Sequence, residues 1–264
     1  MSKSVGYTLR LQSGLWQLSS PQLFGVVNAT TDSFSVRCRH ISQAEILSRA
    51  AGLVQSGAAV LDVGACSTRP NSVPKDADLE WEHLSIALDV IRSAFPKIPV
   101  SVDTFRAEVA RKAIQRYQID IVNDVSGGSE EMDALVAETH TPYILTYARA
   151  CMREDILDDC MDFFSTRLDA LHRAGVADVI IDPGFGFAKT DDQNFQLLKQ
   201  LQVLQVFNCP MMVGVSRKSM IYKLLGVMPE QAVNGTTVLH TIALEKGARS
   251  EERRVGKECR SRWS

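Results

Sequence analysis

Hydrophobic and polar positions alternate along the chain with two different periods. Short runs rich in β-branched residues predict strands at residues 23–28, 58–63, 99–103, 120–123, 143–146, 179–182 and 211–215. Between them, apolar residues recur every three to four positions, which predicts helices at 42–57, 80–95, 106–117, 130–138, 155–174, 192–206 and 228–248. Strict alternation of strands and helices implies a parallel sheet with crossover helices.

Seven strand–helix units indicate an α/β fold of the TIM (β/α)8-barrel type that is one unit short. The alternative is an open, doubly wound sheet. Its nucleotide-binding signature G-x-G-x-x-G is absent, because the first strand runs into NATTDSF. Before that strand, alternating residues at 7–11 and 15–18 predict a hairpin that plugs the floor of the barrel.

The end of the chain breaks the pattern. After Gly247 and Ala248 the segment RSEERRVGKECRSRWS carries six basic and three acidic side chains, and no apolar run that could form a buried strand. We therefore expect one barrel domain over residues 1–248, a charged tail over 249–264, and an eighth strand and helix that are missing or replaced. The tail also resembles a translated sequencing adapter, which favours a foreign origin.

Composition and charge exclude several classes of function. The 264 residues are 45% hydrophobic and carry a net charge of -2, so no basic field indicates nucleic-acid binding. No run approaches the roughly 20 apolar residues of a membrane helix, and the N-terminus lacks the apolar core of a signal peptide. The six cysteines form no C-x-x-C pair, which is typical of reduced thiols. We expect a cytoplasmic protein that binds neither nucleic acid nor membrane.

Polar residues stand at the ends of the predicted strands. They are Asn28, Asp62, Asp103, Asn123 with Asp124, and Asp182, and Lys218 follows the last strand. Each alone is explained by the capping of a turn or helix. Because strand ends converge at the carboxyl-terminal mouth of a parallel barrel, the whole set predicts a pocket for a heterocycle with several hydrogen-bond donors and acceptors.

Six segments together resemble the dihydropteroate synthase family. They are VVNATTDSFS (26–35), DVGACSTRP (62–70), VSVDTF (100–105), VNDVSGG (122–128), IIDPGFGFAKTDDQN (180–194) and VGVSRKSMI (213–221). Members of the family are TIM barrels that join 6-hydroxymethyl-7,8-dihydropterin diphosphate to p-aminobenzoate and release diphosphate in folate synthesis. Sulfonamides mimic the second substrate. The resemblance implies this activity, these small-molecule partners and Mg²⁺ as cofactor.

The resemblance also implies roles for the matching residues. The implied pterin-binding residues are Asp103, Asn123, Asp182, Gly186 and Lys218, of which Asp103, Asp182 and Lys218 are catalytic. Asn28 matches the residue at Mg²⁺ and diphosphate. The residues implied for the loops that enclose diphosphate and p-aminobenzoate are Asp32, Phe34, Thr68, Arg69, Pro70, Phe187 and Ser219. We expect Lys189, on a loop further from the barrel axis, to matter less than Lys218.

The chain also departs from the family pattern. Strand five ends in Thr146-Tyr147 instead of Met-His, and the Arg-x-His motif that holds diphosphate after strand seven is absent. Two alternatives therefore remain open. One is a truncated, weakly active or inactive pterin-binding homologue, and the other is a barrel like the methyltetrahydrofolate:corrinoid methyltransferases. The TTDSF and SRKS segments favour the synthase. A homodimer is left open.

Overall fold

A computed structural model describes residues 6–30, 41–65 and 76–253. Its strands are β1 (Tyr7–Leu11), β2 (Gly14–Leu18), β3 (Gln22–Asn28), β4 (Val60–Gly64), β5 (Val100–Asp103), β6 (Ile121–Asp124), β7 (Tyr143–Thr146), β8 (Val179–Asp182), β9 (Met212–Val213) and β10 (Ser250–Arg253). Its helices are α1 (Gln43–Gln55), α2 (Ala77–Ala94), α3 (Ala107–Tyr117), α4 (Glu130–Thr139), α5 (Ile156–Arg173), α6 (Asp191–Lys199), α7 (Ser219–Leu225) and α8 (Val233–Glu245). The seven predicted strands are present as β3 to β9.

Strands β3 to β10 form one closed parallel sheet. Strands β3 to β8 pair in chain order, and β10 lies between β3 and β9. A bridge between Ile181 of β8 and Met211 beside β9 completes the ring, and the amide of Ile181 donates to the Pro210 carbonyl at 2.9 Å. The chain is therefore an α/β barrel of the TIM type, as the alternating pattern predicted.

Strand β10 shows that the eighth strand is not missing, because the charged ending supplies one. Residues 250–253 pair with residues 22–25 of β3, and residues 250 and 251 pair with Met212 and Val213 of β9. The sequence concealed this strand because it has no apolar run. Pairing between strands uses backbone N–H and C=O groups, and the edges of β3 and β9 would otherwise leave those groups unpaired. The proposed domain boundary at residue 248 therefore falls just before a strand of the sheet.

The two faces of the sheet bury separate apolar clusters. Outward-facing residues such as Val63, Val102 and Leu145 pack against the surrounding helices in the larger cluster. The smaller cluster lies inside the barrel. Its inward-facing strand residues are Phe24, Val60, Ile121, Ile144, Ile180 and Met212. They come early in their strands, so the amino-terminal half of the barrel is filled with apolar side chains.

The hairpin of β1 and β2 closes the floor of the barrel. Its side chains Leu9, Leu11 and Leu18 are buried in the inner cluster. The backbone amide of Arg10 donates to the carboxylate of Asp178, just before β8, at 3.0 Å. The structure confirms the plug that the sequence predicted.

The region between β9 and β10 differs from the prediction. Helix α7 was missed, because a helix of seven residues is too short to show a clear apolar period. The helix expected over 228–248 begins instead as a 3-10 turn at Pro229–Gln231 and continues as α8. Throughout the described ranges, no helix combines the length and apolar character needed to cross a bilayer.

Candidate active site at the barrel mouth

The inner face of the sheet becomes polar above its apolar cluster. Four polar residues lie two positions after an inward-facing apolar residue of the same strand. Two more lie beside members of this group in the strand register, so all six side chains point inward. The six side chains are Asp62, Ser101, Asp103, Asn123, Thr146 and Asp182. All except Asp103 are buried. We call these six residues the polar layer.

Asn123 links two strands of the polar layer. Its side-chain amide donates to the Oδ2 atom of Asp62 at 3.1 Å. The other atom of the carboxamide, Oδ1, is buried and has no hydrogen-bond partner among the described residues. A buried acceptor without a partner is costly unless a ligand satisfies it. Asn123 is thus well placed to accept a hydrogen bond from a ligand.

Asp103 and Asp182 lie at the upper rim of the polar layer. A side chain at Gly64 would place its Cβ only 3.2 Å from the Oδ2 atom of Asp103, so the glycine leaves room for this carboxylate. The Oδ1 atom of Asp182 accepts a hydrogen bond from the amide of Gly184 at 2.8 Å, which fixes the carboxylate against its own loop. The two acids therefore occupy defined positions at the mouth.

Asp124, the neighbour of Asn123, has a structural role. It points to the outer face, where its oxygens accept hydrogen bonds from the Ser126 hydroxyl at 2.6 Å and the Tyr143 hydroxyl at 2.9 Å. Burial raises the pKa of this carboxyl, and the hydrogen bonds partly oppose the shift. Only Asn123 of the Asn-Asp pair belongs to the candidate site.

Lys218, which directly precedes α7, packs against the loop after β8. Lys218 donates a hydrogen bond to the carbonyl of Phe185, and its ammonium lies 4.9 Å from the centre of the Phe187 ring. Gly186 has a φ of +80°, and a Cβ there would come 3.0 Å from the Cδ atom of Lys218. Gly186 therefore allows the lysine stem to lie directly on the loop.

Lys189 belongs to the same loop, and its side chain folds back onto it. Its ammonium donates to the carbonyls of Tyr147 at 2.6 Å, Gly184 at 2.9 Å and Phe187 at 3.2 Å. It also sits 4.2 Å from the centre of the Tyr147 ring. Burial lowers the pKa of Lys189 to about 8. The expectation that Lys189 matters less than Lys218 was based on its loop position and did not include these contacts.

Two other residues implied by the resemblance lie at the rim. Asn28 is the last residue of β3 and is partly exposed, and Ser219 is the first residue of α7. Within the described ranges, no three His, Cys, Asp or Glu side chains form a group that could hold a metal ion. Five predicted site residues lie outside the described residues: Asp32, Phe34, Thr68, Arg69 and Pro70.

Sequence reasoning missed Ser101 and Thr146 as members of the polar layer. Strand alternation could have found them, because Ser101 lies two positions before Asp103 in Val-Ser-Val-Asp, and residues of one parity share a face. Thr146 ends β7 directly beside Asp182. The hydroxyls of both residues are buried and make no hydrogen bond to any residue that the structure describes.

Comparisons with known proteins agree with this geometry. A family model described as "Pterin binding enzyme" matches residues 24–251. The dihydropteroate synthase of Synechocystis sp. is 37% identical over 239 residues, covering 86% of this chain and 82% of that protein. The chain belongs to the dihydropteroate synthase family. The recognition made from the six sequence segments is confirmed.

Solved dihydropteroate synthases share the whole barrel. The enzyme of Xanthomonas albilineans with 4-aminobenzoic acid superimposes with a TM-score of 0.86 at 31% identity, covering 94% of this chain and 92% of that one. The Yersinia pestis enzyme in a sulfonamide drug complex also gives a TM-score of 0.86, at 30% identity, covering 93% of both chains. The match to the family model ends at residue 251, inside β10.

Proposed function

We propose that this chain catalyses the dihydropteroate synthase reaction with the polar layer and Lys218 as its pterin site. The substrates are 6-hydroxymethyl-7,8-dihydropterin diphosphate and p-aminobenzoate, and the products are 7,8-dihydropteroate and diphosphate. The observation that carries the proposal is the convergence of six inward-facing polar side chains at the mouth of a barrel that belongs to this family.

The polar layer provides the hydrogen-bonding groups that a pterin ring requires. The ring presents N–H and amino donors, which the carboxylates of Asp103 and Asp182 can accept. The Oδ1 atom of Asn123 supplies a further buried acceptor. Lys218, held over the mouth by the loop after β8, can donate to a ring carbonyl or ring nitrogen.

The same residues suit the chemistry of the transfer. The C–O bond between the pterin methylene and diphosphate breaks, and its electron pair leaves with diphosphate. The amine nitrogen of p-aminobenzoate then forms the new C–N bond and loses a proton. Positive charge develops on the pterin as the C–O bond breaks, and the carboxylates of Asp103 and Asp182 stabilise that charge.

Asn28 is the residue of this chain that would hold Mg²⁺. Its carboxamide oxygen is a suitable ligand, and Mg²⁺ commonly keeps several waters and binds substrate phosphates in place of a full set of protein ligands. Asn28 is partly exposed at the rim, and the described residues contain no acidic cluster that could hold a metal ion. Both observations fit a metal site shared with water and substrate phosphates. When bound, the metal supplies positive charge against diphosphate.

The second substrate would enter beside Phe187 and Ser219. We assign the loop residues Asp32, Phe34, Thr68, Arg69 and Pro70 to the enclosure of diphosphate and p-aminobenzoate on the family resemblance alone. The relatives with bound 4-aminobenzoic acid and a bound sulfonamide support both ligand classes for this chain. We expect sulfonamides to compete with p-aminobenzoate.

Family membership favours the synthase over a methyltransferase-like barrel. A weakly active pterin-binding homologue remains the second candidate, because the Arg-x-His motif is absent from the sequence. We place the reaction in the cytoplasm, a proposal supported by the free thiols of Cys151, Cys160 and Cys209. A homodimer stays a prediction.

Calorimetry and a synthase assay test the proposal together. We expect binding of 6-hydroxymethylpterin, which needs only the polar layer and Lys218, and Mg²⁺-dependent release of diphosphate when both substrates are present. Binding without turnover would establish the second candidate. Failure to bind pterin at all, in a folded sample, would refute both.

A further inference from the structure

Two lysines contact the loop after β8: Lys218, from the start of α7, and Lys189, from the loop itself. On the mouth side, Lys218 contacts Phe185, Gly186 and Phe187. The ammonium of Lys189 donates to two carbonyls of this loop and to the carbonyl of Tyr147, just after β7. Lys189 therefore connects the loop to the end of the neighbouring strand.

Tyr147, the partner of Lys189 just after β7, is itself held in place. The Tyr147 side chain is buried, and its hydroxyl donates to the carboxylate of Asp159 in α5. Arg149 also contacts Asp159, with 3.2 Å between the guanidinium and the carboxylate. Because this strand end is fixed, the hydrogen bonds from Lys189 transmit its position to the loop.

We propose that Lys189 is a positioning residue for pterin binding, acting through the loop that carries Gly184 to Phe187 and places Lys218. The inference rests on the proposed function of the mouth as a pterin site. Loss of the Lys189 ammonium removes hydrogen bonds to three carbonyls and lets the loop shift. Displacements of about 1 Å at a binding group can reduce function by about a hundredfold.

Titration of Lys189 gives a readout that a purely structural lysine would not give. Its pKa is lowered to about 8 by burial, an effect opposed by Cys160, Asp182 and Cys151 and reinforced by Lys218. The ammonium has three donors and the neutral amine only two, so the neutral form cannot hold all three carbonyls. Pterin affinity should therefore fall as the pH rises through about 8.

The test compares the full chain with Lys189→Met, and with Lys223→Met as a matched control. Lys223 is an exposed lysine of α7 whose nearest acid, Asp191, is 3.8 Å away. Calorimetry with 6-hydroxymethylpterin from pH 7 to pH 9 should show at least about tenfold weaker binding by Lys189→Met at pH 7. The difference between wild type and variant should narrow as the pH rises above 8, because the neutral amine keeps only two of the three hydrogen bonds. Ionisation of the ligand is common to both proteins and cancels in this difference.

Three outcomes distinguish the possibilities. Equal affinity of wild type and Lys189→Met, with only a lower melting temperature for the variant, would overturn the inference. If Lys189→Met does not fold, Lys189→Gln is measured in its place. A wild-type affinity for pterin that does not change across pH 8, after correction for ligand ionisation, would also overturn the inference. A wild-type chain that binds no pterin would refute the proposed function instead.

Discussion

Asp182 shows how one residue can join fold and chemistry. It is the last residue of β8 and faces inward. Its carboxylate accepts a hydrogen bond from the amide of Gly184, in the loop that follows, at 2.8 Å. A carboxylate in this position offers acceptors on both oxygens, whereas an amide of the same size presents N–H donors to a ring that is itself rich in donors. The hydrogen bond from Gly184 can survive the change, because an amide keeps one acceptor.

Asp182→Asn should therefore weaken binding of 6-hydroxymethylpterin by about 1.5–3 kcal/mol and leave the melting temperature close to that of wild type. Calorimetry and thermal unfolding on the same samples measure both quantities. Retention of wild-type affinity by the folded variant would contradict the assignment of this acid to the pterin.

Replacing Thr146 is expected to stabilise the fold. Its buried hydroxyl has no hydrogen-bond partner among the described residues. Burying such a group costs about 1–3 kcal/mol, and valine has nearly the same shape without the hydroxyl. Thr146→Val should raise the free energy of unfolding measured in urea without ligand. A decrease would show that the hydroxyl has a partner in solution, such as an ordered water.

At the scale of elements, the loop after β8 depends on the close approach of two backbones. A Cβ at Gly184 would come 2.1 Å from the carbonyl oxygen of Tyr147, and the residue has a φ of +67°. Gly226, which ends α7, has a similar φ of +63° but open space around the added Cβ. The two glycines share the backbone conformation and differ only in the steric contact.

Gly184→Ala should consequently lose pterin affinity and more stability than Gly226→Ala. The left-handed conformation costs both variants about 1–2 kcal/mol. Only Gly184→Ala must also move its loop away from β7. Denaturant unfolding and pterin titration of the two variants provide the comparison, and equal losses in both would mean that the loop tolerates the added methyl group.

Elements with strong local patterns were predictable and the others were not. The seven strands and the floor hairpin follow from runs of β-branched residues and from alternation, and the polar layer follows from their ends. Helix α7 is too short to show a period, and β10 has no apolar pattern. The contacts of Lys189 with Tyr147 arise only when β7 and β8 pair, so sequence position alone could not reveal them.

At the scale of the molecule, the eighth strand closes the barrel through its backbone. A chain that ends after residue 248 would leave β3 and β9 with unpaired edges. We expect a markedly lower melting temperature for this truncation than for one that ends after residue 253. Equal melting temperatures of the two truncations would show that β10 contributes nothing to closure.

Activity should respond more than stability to a family-like ending. Because β10 already occupies its place in the sheet, replacing residues 249–264 with a strand and helix that carry Arg-x-His should raise turnover more than it raises the melting temperature. The restored cationic groups stabilise the charge that develops on diphosphate. A synthase assay and a thermal melt of both chains check this, and unchanged turnover would mean that diphosphate is held by other groups.

The pairing of β3 with β10 also governs how the protein is made. It joins residues 22–25 to residues 250–253, almost the full length of the chain apart. On the ribosome, β3 to β9 are all synthesised before the closing strand. Until then the edges of β3 and β9 are exposed to other nascent chains and to chaperones. Closure of the barrel therefore waits until residues 250–253 have been synthesised.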